Sequence, residues 1–470
     1  MRRSVIAIVL ATVAAPCFAL DQALVDEATE AMRTATNYLT QEAAIHGGYA
    51  GSYLADLSDQ WGEGHITATM NWVQPPGSPS TGMAFVREWE ATGDPLFLDA
   101  AKLNAESLVW GQLECGGWYY NIDFTPTGEQ RYYYRHNVGS DDPKLTAGRN
   151  VGTMDDNVTQ AATRLLIAVD RALEAAGRPD EAIHEAAIVA LDFLLEAQYD
   201  HGGWPQRYPL SGRSYPDFMT FNDNTMRDCC QVMAYAWREY GDQRYYDSVV
   251  ACGDFIINAQ LPAPQAAWAQ QYDADLKPGW ARRFEPPCVC TGESYGVMRL
   301  LVDLAAFTGD ERYLEPLPAA IEWFESNALP DGRRARFYEL KTNRPLYFYA
   351  DTYMLTYDDS NPPTHYSFKG SYYNSSFAER LAQIHEAGFD TWVAARQAPD
   401  EPTRDEQMAR AEGMEGEVRQ MLDARTENGV WVRKGGYGGK DVMHLDMRDM
   451  QKRLNALSEY VGNAKGFPGR

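Results

Sequence analysis

Asp155-Asp156-Asn157 and Asn222-Asp223-Asn224 are the residues of this chain best equipped for chemistry. Clustered carboxylates and amides are hard oxygen ligands suited to Ca²⁺, and Asp156 and Asp223 are also candidates for an acid and base pair. The second cluster closes a stretch, Gly202–Asn224, that opens with Gly-Gly-Trp-Pro-Gln. There the glycines permit close approach of a ligand, Trp204 and Tyr208 offer flat apolar faces, and Arg207 supplies a fixed cation. Such a mixture suits a sugar-binding cleft. The competing reading makes Asp156, Asn157, Asn222 and Asp223 helix N-caps, each worth about 1 kcal/mol. Two clusters, each with more polar groups than one cap uses, favour a site. The chain carries no EF-hand loop, no His-Glu-x-x-His and no His/Cys pair at zinc spacing.

The elements that must position these clusters are read from a repeat. A helix, a Gly-Asp turn, an aromatic and a second helix recur at Gly93-Asp94 with Phe97, Gly241-Asp242 with Tyr245, and Gly309-Asp310 with Tyr313. Gly177 with Asp180 is a looser copy. Gln112, Gly116, Gly117 and Trp118 match Gln198, Gly202, Gly203 and Trp204 position for position, with His46-Gly47-Gly48-Tyr49 a weaker echo. Apolar residues at helical spacing, such as Ile188, Leu191, Leu194 and Leu195, fit hairpins that must stack to bury their faces. The expected fold is mainly α: an α/α toroid, or incomplete α/α barrel, of repeated helical hairpins with irregular loops and a few short strands. A binding solenoid is the alternative. With each Gly-Asp turn at the bottom, both Asp/Asn clusters, Thr291-Gly292-Glu293 and the Gly-Gly-Trp loops converge at the top.

Arg2-Arg3, the apolar run Val5–Ala15 and Cys17-Phe18-Ala19 read as a secretory signal peptide, too short to span a membrane. The chain divides into a signal at 1–19, a toroid at 20–385 and a charged extension at 386–470 packed on the same domain, with a closing helix over Met443–Val461. Gly435–Lys440 resembles a phosphate loop in composition only and reads as a turn. The protein is expected to be secreted or periplasmic and monomeric. A net charge of −24 argues against nucleic acid and membranes as partners, and requires a locally basic or metal-bearing groove for any acidic polysaccharide. Cys115, Cys229, Cys230, Cys252, Cys288 and Cys290 permit disulfides without specifying a pairing.

Four ordered blocks carry a resemblance. Gly202-Gly203-Trp204-Pro205-Gln206 with Tyr208-Pro209, then Thr220-Phe221-Asn222-Asp223, resemble the signature of family 10 polysaccharide lyases, the pectate lyases. Ala281-Arg282 with Phe284-Glu285 and Gly292-Glu293-Ser294, then Ala335–Leu340 with Thr342–Pro345, resemble two further blocks of that family. Asp156-Asn157 stands at the place of its earlier Asp-Asn motif.

The resemblance implies an α/α toroid and β-elimination of polygalacturonate. Asp156, Asn157 and Asp223 would bind Ca²⁺, Arg282 would be the catalytic base with Asp156 in the catalytic set, and Arg283 is a rival for the base. Trp204, Arg207, Tyr208, Arg283, Arg336, Arg344 and Lys369 would contact substrate. Asn224 replaces a second Asp, Cys288 and Cys290 replace serines and are candidates for a disulfide, and Asn361–His365 replaces a basic stretch, with Lys369 as a stand-in. An α/α-barrel glycoside hydrolase using Asp156 and Asp223, or a non-catalytic polysaccharide-binding protein, are the alternatives.

Overall fold

The computed structural model describes residues 20–212, 215–437 and 440–467; the signal-peptide expectation at 1–19 lies outside them. Long helices alternate with irregular loops: α1 (Gln22–Tyr38), α2 (Ser78–Thr92), α3 (Pro95–Gly111), α4 (Val158–Ala175), α5 (Glu181–Ala197), α6 (Thr225–Tyr240) and α7 (Gln243–Asn258). They continue as α8 (Thr291–Thr308), α9 (Leu317–Ser326), α10 (Ser376–Ala387), α11 (Phe389–Gln397), α12 (Arg404–Asp423) and α13 (Met447–Lys465). Helices α13, α2, α4 and α6 pack successively side by side, and α3, α5 and α7 back them as hairpin partners. This is an α/α toroid.

The Gly-Asp turns work as a two-residue hinge. Gly93, Gly241 and Gly309 end α2, α6 and α8 in the left-handed region (φ 69°, 71° and 71°), where glycine carries no Cβ penalty. Asp94, Asp242 and Asp310 then cap the next helical segment, accepting from the backbone of Leu96, Arg244 and Arg312. Asp180 caps α5 in the same way. Phe97, Tyr245 and Tyr313 follow into the core.

The opposite ends share a second device. Gln112 donates to Gly116 and to Ala186 of α5, and Gln198 donates to Gly202 and to Ser248 of α7. Gln260 repeats the pattern on Ala266 and Pro316. Trp118, Trp204, Trp268 and Trp431 each bury the indole and donate to the carbonyl of Leu108, Leu194, Ile256 and Met421. The motif ties one hairpin to the next.

Three expectations are corrected here. Arg433–Tyr437, including Gly435 and Gly436, is a strand paired with Lys440–Asp446 rather than a turn, while Gly438 and Gly439 lie outside the described residues. The closing helix starts at Met447, because Met443–Asp446 belongs to that hairpin. Cys288 and Cys290 are free thiols, as are Cys115, Cys229, Cys230 and Cys252. Cys288 and Cys290 share a strand paired with Phe337–Glu339, which keeps their backbones extended.

Candidate active site

The site forms where α4, α6 and α8 begin. Short strands lead into these helices: Gly152–Thr153 pairs with Arg207–Tyr208, and Met219–Thr220 with Gln271–Tyr272. After each strand the chain makes the same move. Asp156 and Asn157 (φ 52° and 59°) take the left-handed conformation before α4, and Asp223 and Asn224 (φ 47° and 62°) take it before α6. Asp and Asn tolerate this region better than other side-chain-bearing residues. Neither Asn157 nor Asn224 makes a side-chain cap, so the capping alternative fails at this end. The caps sit at the Gly-Asp turns instead.

Carboxylate oxygens of Asp155, Asp156 and Asp223 lie within 4.8 Å of one another. The Tyr120 hydroxyl donates to Asp155 (3.2 Å) and Asp156 (3.0 Å), yet the buried Oδ1 of Asp155 has no hydrogen-bond partner. Asn222 donates to Asp223. Burial and the charges of Asp156 and Asp223 raise Asp155 to about 7. Burial and Asp156 raise Asp223 to about 6, against the pull of Arg282. Three converging carboxylates with an orphaned oxygen are a donor set that fits a hard cation such as Ca²⁺. Asn157 follows Asp156 in the same left-handed pair.

Two arginine–glutamate pairs flank the carboxylates. Arg282 forks onto Glu285 through Nε (2.8 Å) and Nη2 (2.6 Å), while Gln270 and Tyr366 also donate to Glu285. Hydrogen bonding to Glu285 raises the proton affinity of Arg282. Arg336 pairs with Glu293 at 3.0 Å and lies over the Tyr366 ring at 4.0 Å. Burial acts to lower the Arg336 value, and the charge of Glu293 together with neighbouring Cys290, Tyr366 and Tyr372 outweighs it. A cavity of about 180 Å³ between α6 and α8 is lined by Asp223, Asn224, Arg227 and Glu293.

The remaining expected residues divide. Arg207, through its pairing with Thr153, brings its positive charge to Asp155, and its buried Nε is unpartnered. Tyr208 is half-buried, edge-on to Phe193. Trp204 does not face a ligand: it is fully buried, with its indole bonded to Leu194. The neighbouring glycines serve packing, since a Cβ on Gly202 would lie 1.9 Å from the Ala251 carbonyl oxygen. Arg283 covers Tyr353, Arg344 covers Tyr357 and Lys369 pairs with Asp359, so these three have partners away from the carboxylates.

The sequence assigns no site role to Tyr120 or Gln270, and none to Asp155, Glu285 and Glu293 beyond their places in the quoted motifs. Two of them carry a signal: Tyr120 and Gln270 each stand two residues after a repeat tryptophan, Trp118 and Trp268. Gln206 holds the same offset from Trp204, and the three main-chain carbonyls bind Val73, Phe221 and Met154, respectively, for Tyr120, Gln270 and Gln206.

Residues 112–335 match the family described as pectic acid lyase. Among solved structures, the family 10 polysaccharide lyase from Cellvibrio cellulosa is 22% identical, covering 66% of this chain and 97% of its own, with a TM-score of 0.46. A mutant of that lyase in complex with trigalacturonic acid is also 22% identical, covering 66% and 98%, with a TM-score of 0.45. A D-mannose isomerase is 13% identical over 95% of this chain and 98% of its own, with a TM-score of 0.47. No curated protein matches the chain. The segment that matches the pectic acid lyase family contains Asp155, Asp156, Asp223, Arg282, Glu285 and Glu293.

Proposed function

We propose that the protein is an exported pectate lyase that cleaves polygalacturonate by Ca²⁺-assisted β-elimination, releasing 4,5-unsaturated oligogalacturonides. The observation that carries this reading is the carboxylate cluster with its orphaned Asp155 oxygen, set beside Arg282 and Glu285. Three acid side chains crowded within 4.8 Å leave less room than the ~6.5–9.5 Å between the carboxyls of an inverting hydrolase. They suit a shared cation better than an acid and base pair.

Elimination must remove the C5 proton, hold the charge that develops on the C6 carboxylate and release O4. Asp155, Asp156 and Asp223, with Asn157, would hold Ca²⁺, which supplies neutralisation of carboxylate charge when bound. Arg282 accepts the C5 proton on Nη1, the guanidine nitrogen that the Glu285 fork leaves free. Glu285 makes the neutral guanidine scarce, and it also stabilises the cation formed as the proton arrives. A base made stronger and rarer gives a rate that climbs with pH, so activity is expected in the alkaline range. Arg207 and Arg336, each with an unpartnered buried Nε, bind the carboxylates of neighbouring sugar units.

The test is incubation with polygalacturonate and Ca²⁺ at alkaline pH, followed by ultraviolet absorbance of the unsaturated product. Absorbance should rise with the native chain, stop on chelation and be absent with Arg282→Ala. Reducing ends appearing without absorbance would instead support hydrolysis.

A further inference from the structure

A second cavity lies within the helical bundle, further along the α6 and α8 helices that line the first, and shares Leu300 with it. It measures about 780 Å³ and opens between α6 and α8, with the end of α11 at its mouth. This is within the ~300–1,000 Å³ common to small-molecule sites. In a chain of net charge −24, the cavity is basic. Arg164 of α4, Arg238 of α6 and Arg396 of α11 line it, against one acid, Asp303 of α8. Among the described residues, none of these three arginines forms an ion pair with a carboxylate.

Two of them are held by aromatic faces instead. Arg164 lies 5.0 Å from the Tyr235 ring centre and Arg238 lies 5.4 Å from that of Phe307. Trp237 packs edge-on against Phe307 beside them. Guanidiniums stacked on rings keep their N–H edges available for a carboxylate fork. Burial lowers the proton affinity of Arg164, a penalty that a bound anion would offset.

We infer that this cavity is a second ligand site, for small sugar acids whose carboxylates pair with Arg164, Arg238 and Arg396 while the sugar body meets the aromatic side chains. Phosphate suits it less. Among the described residues that line the cavity none belongs to the first turn of a helix, so no N-terminus cradles a compact dianion there. The inference stands on the cavity and does not depend on the lyase reading.

Calorimetric titration of the full chain, with chelator present to keep cations from the carboxylate cluster, tests it. Galacturonate and glucuronate are the acidic probes, galactose the neutral one and inorganic phosphate the competing anion. Saturable binding of at least one uronate, none of galactose, and at least tenfold weaker binding by Arg238→Gln/Arg396→Gln are expected. Both of those arginines are exposed, so folding should persist. Asp223→Asn should leave the affinity unchanged, which separates this site from the carboxylate cluster. Failure of both uronates, equal binding of galactose, tighter binding of phosphate, or undiminished affinity in the double variant would overturn the inference.

Discussion

Asp155, Asp156 and Asp223 repel one another at the distances they keep, and the partial burial of Asp155 and Asp156 makes the repulsion harder to screen. Asp155 at about 7 and Asp223 at about 6 both stand above the ordinary 3.8. The folded chain therefore binds their protons more tightly than the unfolded chain. The stability they contribute is complete below about pH 4 and is lost as pH rises through 6 and 7. A cation between them reverses that loss. In chelator, the thermal midpoint should fall between pH 5 and pH 8. Added Ca²⁺ should raise it strongly at pH 8 and little at pH 5, where protons compete for the same oxygens. Equal Ca²⁺ stabilisation at both pH values would refute a site built on these carboxylates. Asp223→Asn removes one charged ligand, so Ca²⁺ affinity measured by calorimetry should drop at least about tenfold.

At the scale of the element, the same residue types do different work at the two ends of each hairpin. Asp94, Asp180, Asp242 and Asp310 are caps, with extended backbones and bonds to the following helix. Asp156 and Asp223 are left-handed and bring carboxylate oxygens within 4.8 Å of each other. The spacing of Gly-Asp and Gly-Gly-Trp made the hairpins and their polarity legible, and hence the meeting of Asp156 with Asp223. What spacing does not carry is the direction of a side chain. Trp204 read as a sugar platform because a Trp in a glycine loop looks the same whether it turns outward or packs inward. Glu285 and Glu293 stand in the quoted motifs, but their pairing is set by the fold: Arg282 turns back on Glu285 within one loop, and Arg336 reaches Glu293 from the bend between the strands Arg334–Ala335 and Phe337–Glu339. The packing role of the loop glycines has its own test. Gly202→Ala adds a clash on the α7 backbone (about 1–3 kcal/mol) to the penalty of a positive φ of 93° (about 1–2 kcal/mol), and should cost about 2–5 kcal/mol. Gly241→Ala meets open space and should cost only the left-handed penalty of about 1–2 kcal/mol. Urea unfolding of both variants should place Gly202→Ala as the less stable.

At the scale of the whole molecule, the stretch after residue 386 is part of the ring. Helix α13 packs on both α1 and α2, and α12 packs on α13 and α1. Leu454, Leu457, Tyr460 and Val461 of α13 are fully buried, as are Met32 and Ala35 of α1. The α12 helix is charged over most of its length, yet Ala411, Val418, Met421 and Leu422 turn inward, and Thr403 with Glu406 closes its start as a capping box. The hairpin between them joins a five-stranded sheet, with Lys440–Asp446 paired to Ser52–Leu54 near the other end of the chain. Contacts so far apart in sequence leave the first hairpins without a core of their own until the last residues arrive. A chain ended at residue 398 would expose the apolar faces of α1 and α2 together. It should be recovered in aggregates or show no cooperative thermal transition, although every residue of the carboxylate site is retained. A soluble truncated protein that melts cooperatively and still cleaves polygalacturonate would show instead that 386–470 is an appendage to a self-sufficient toroid.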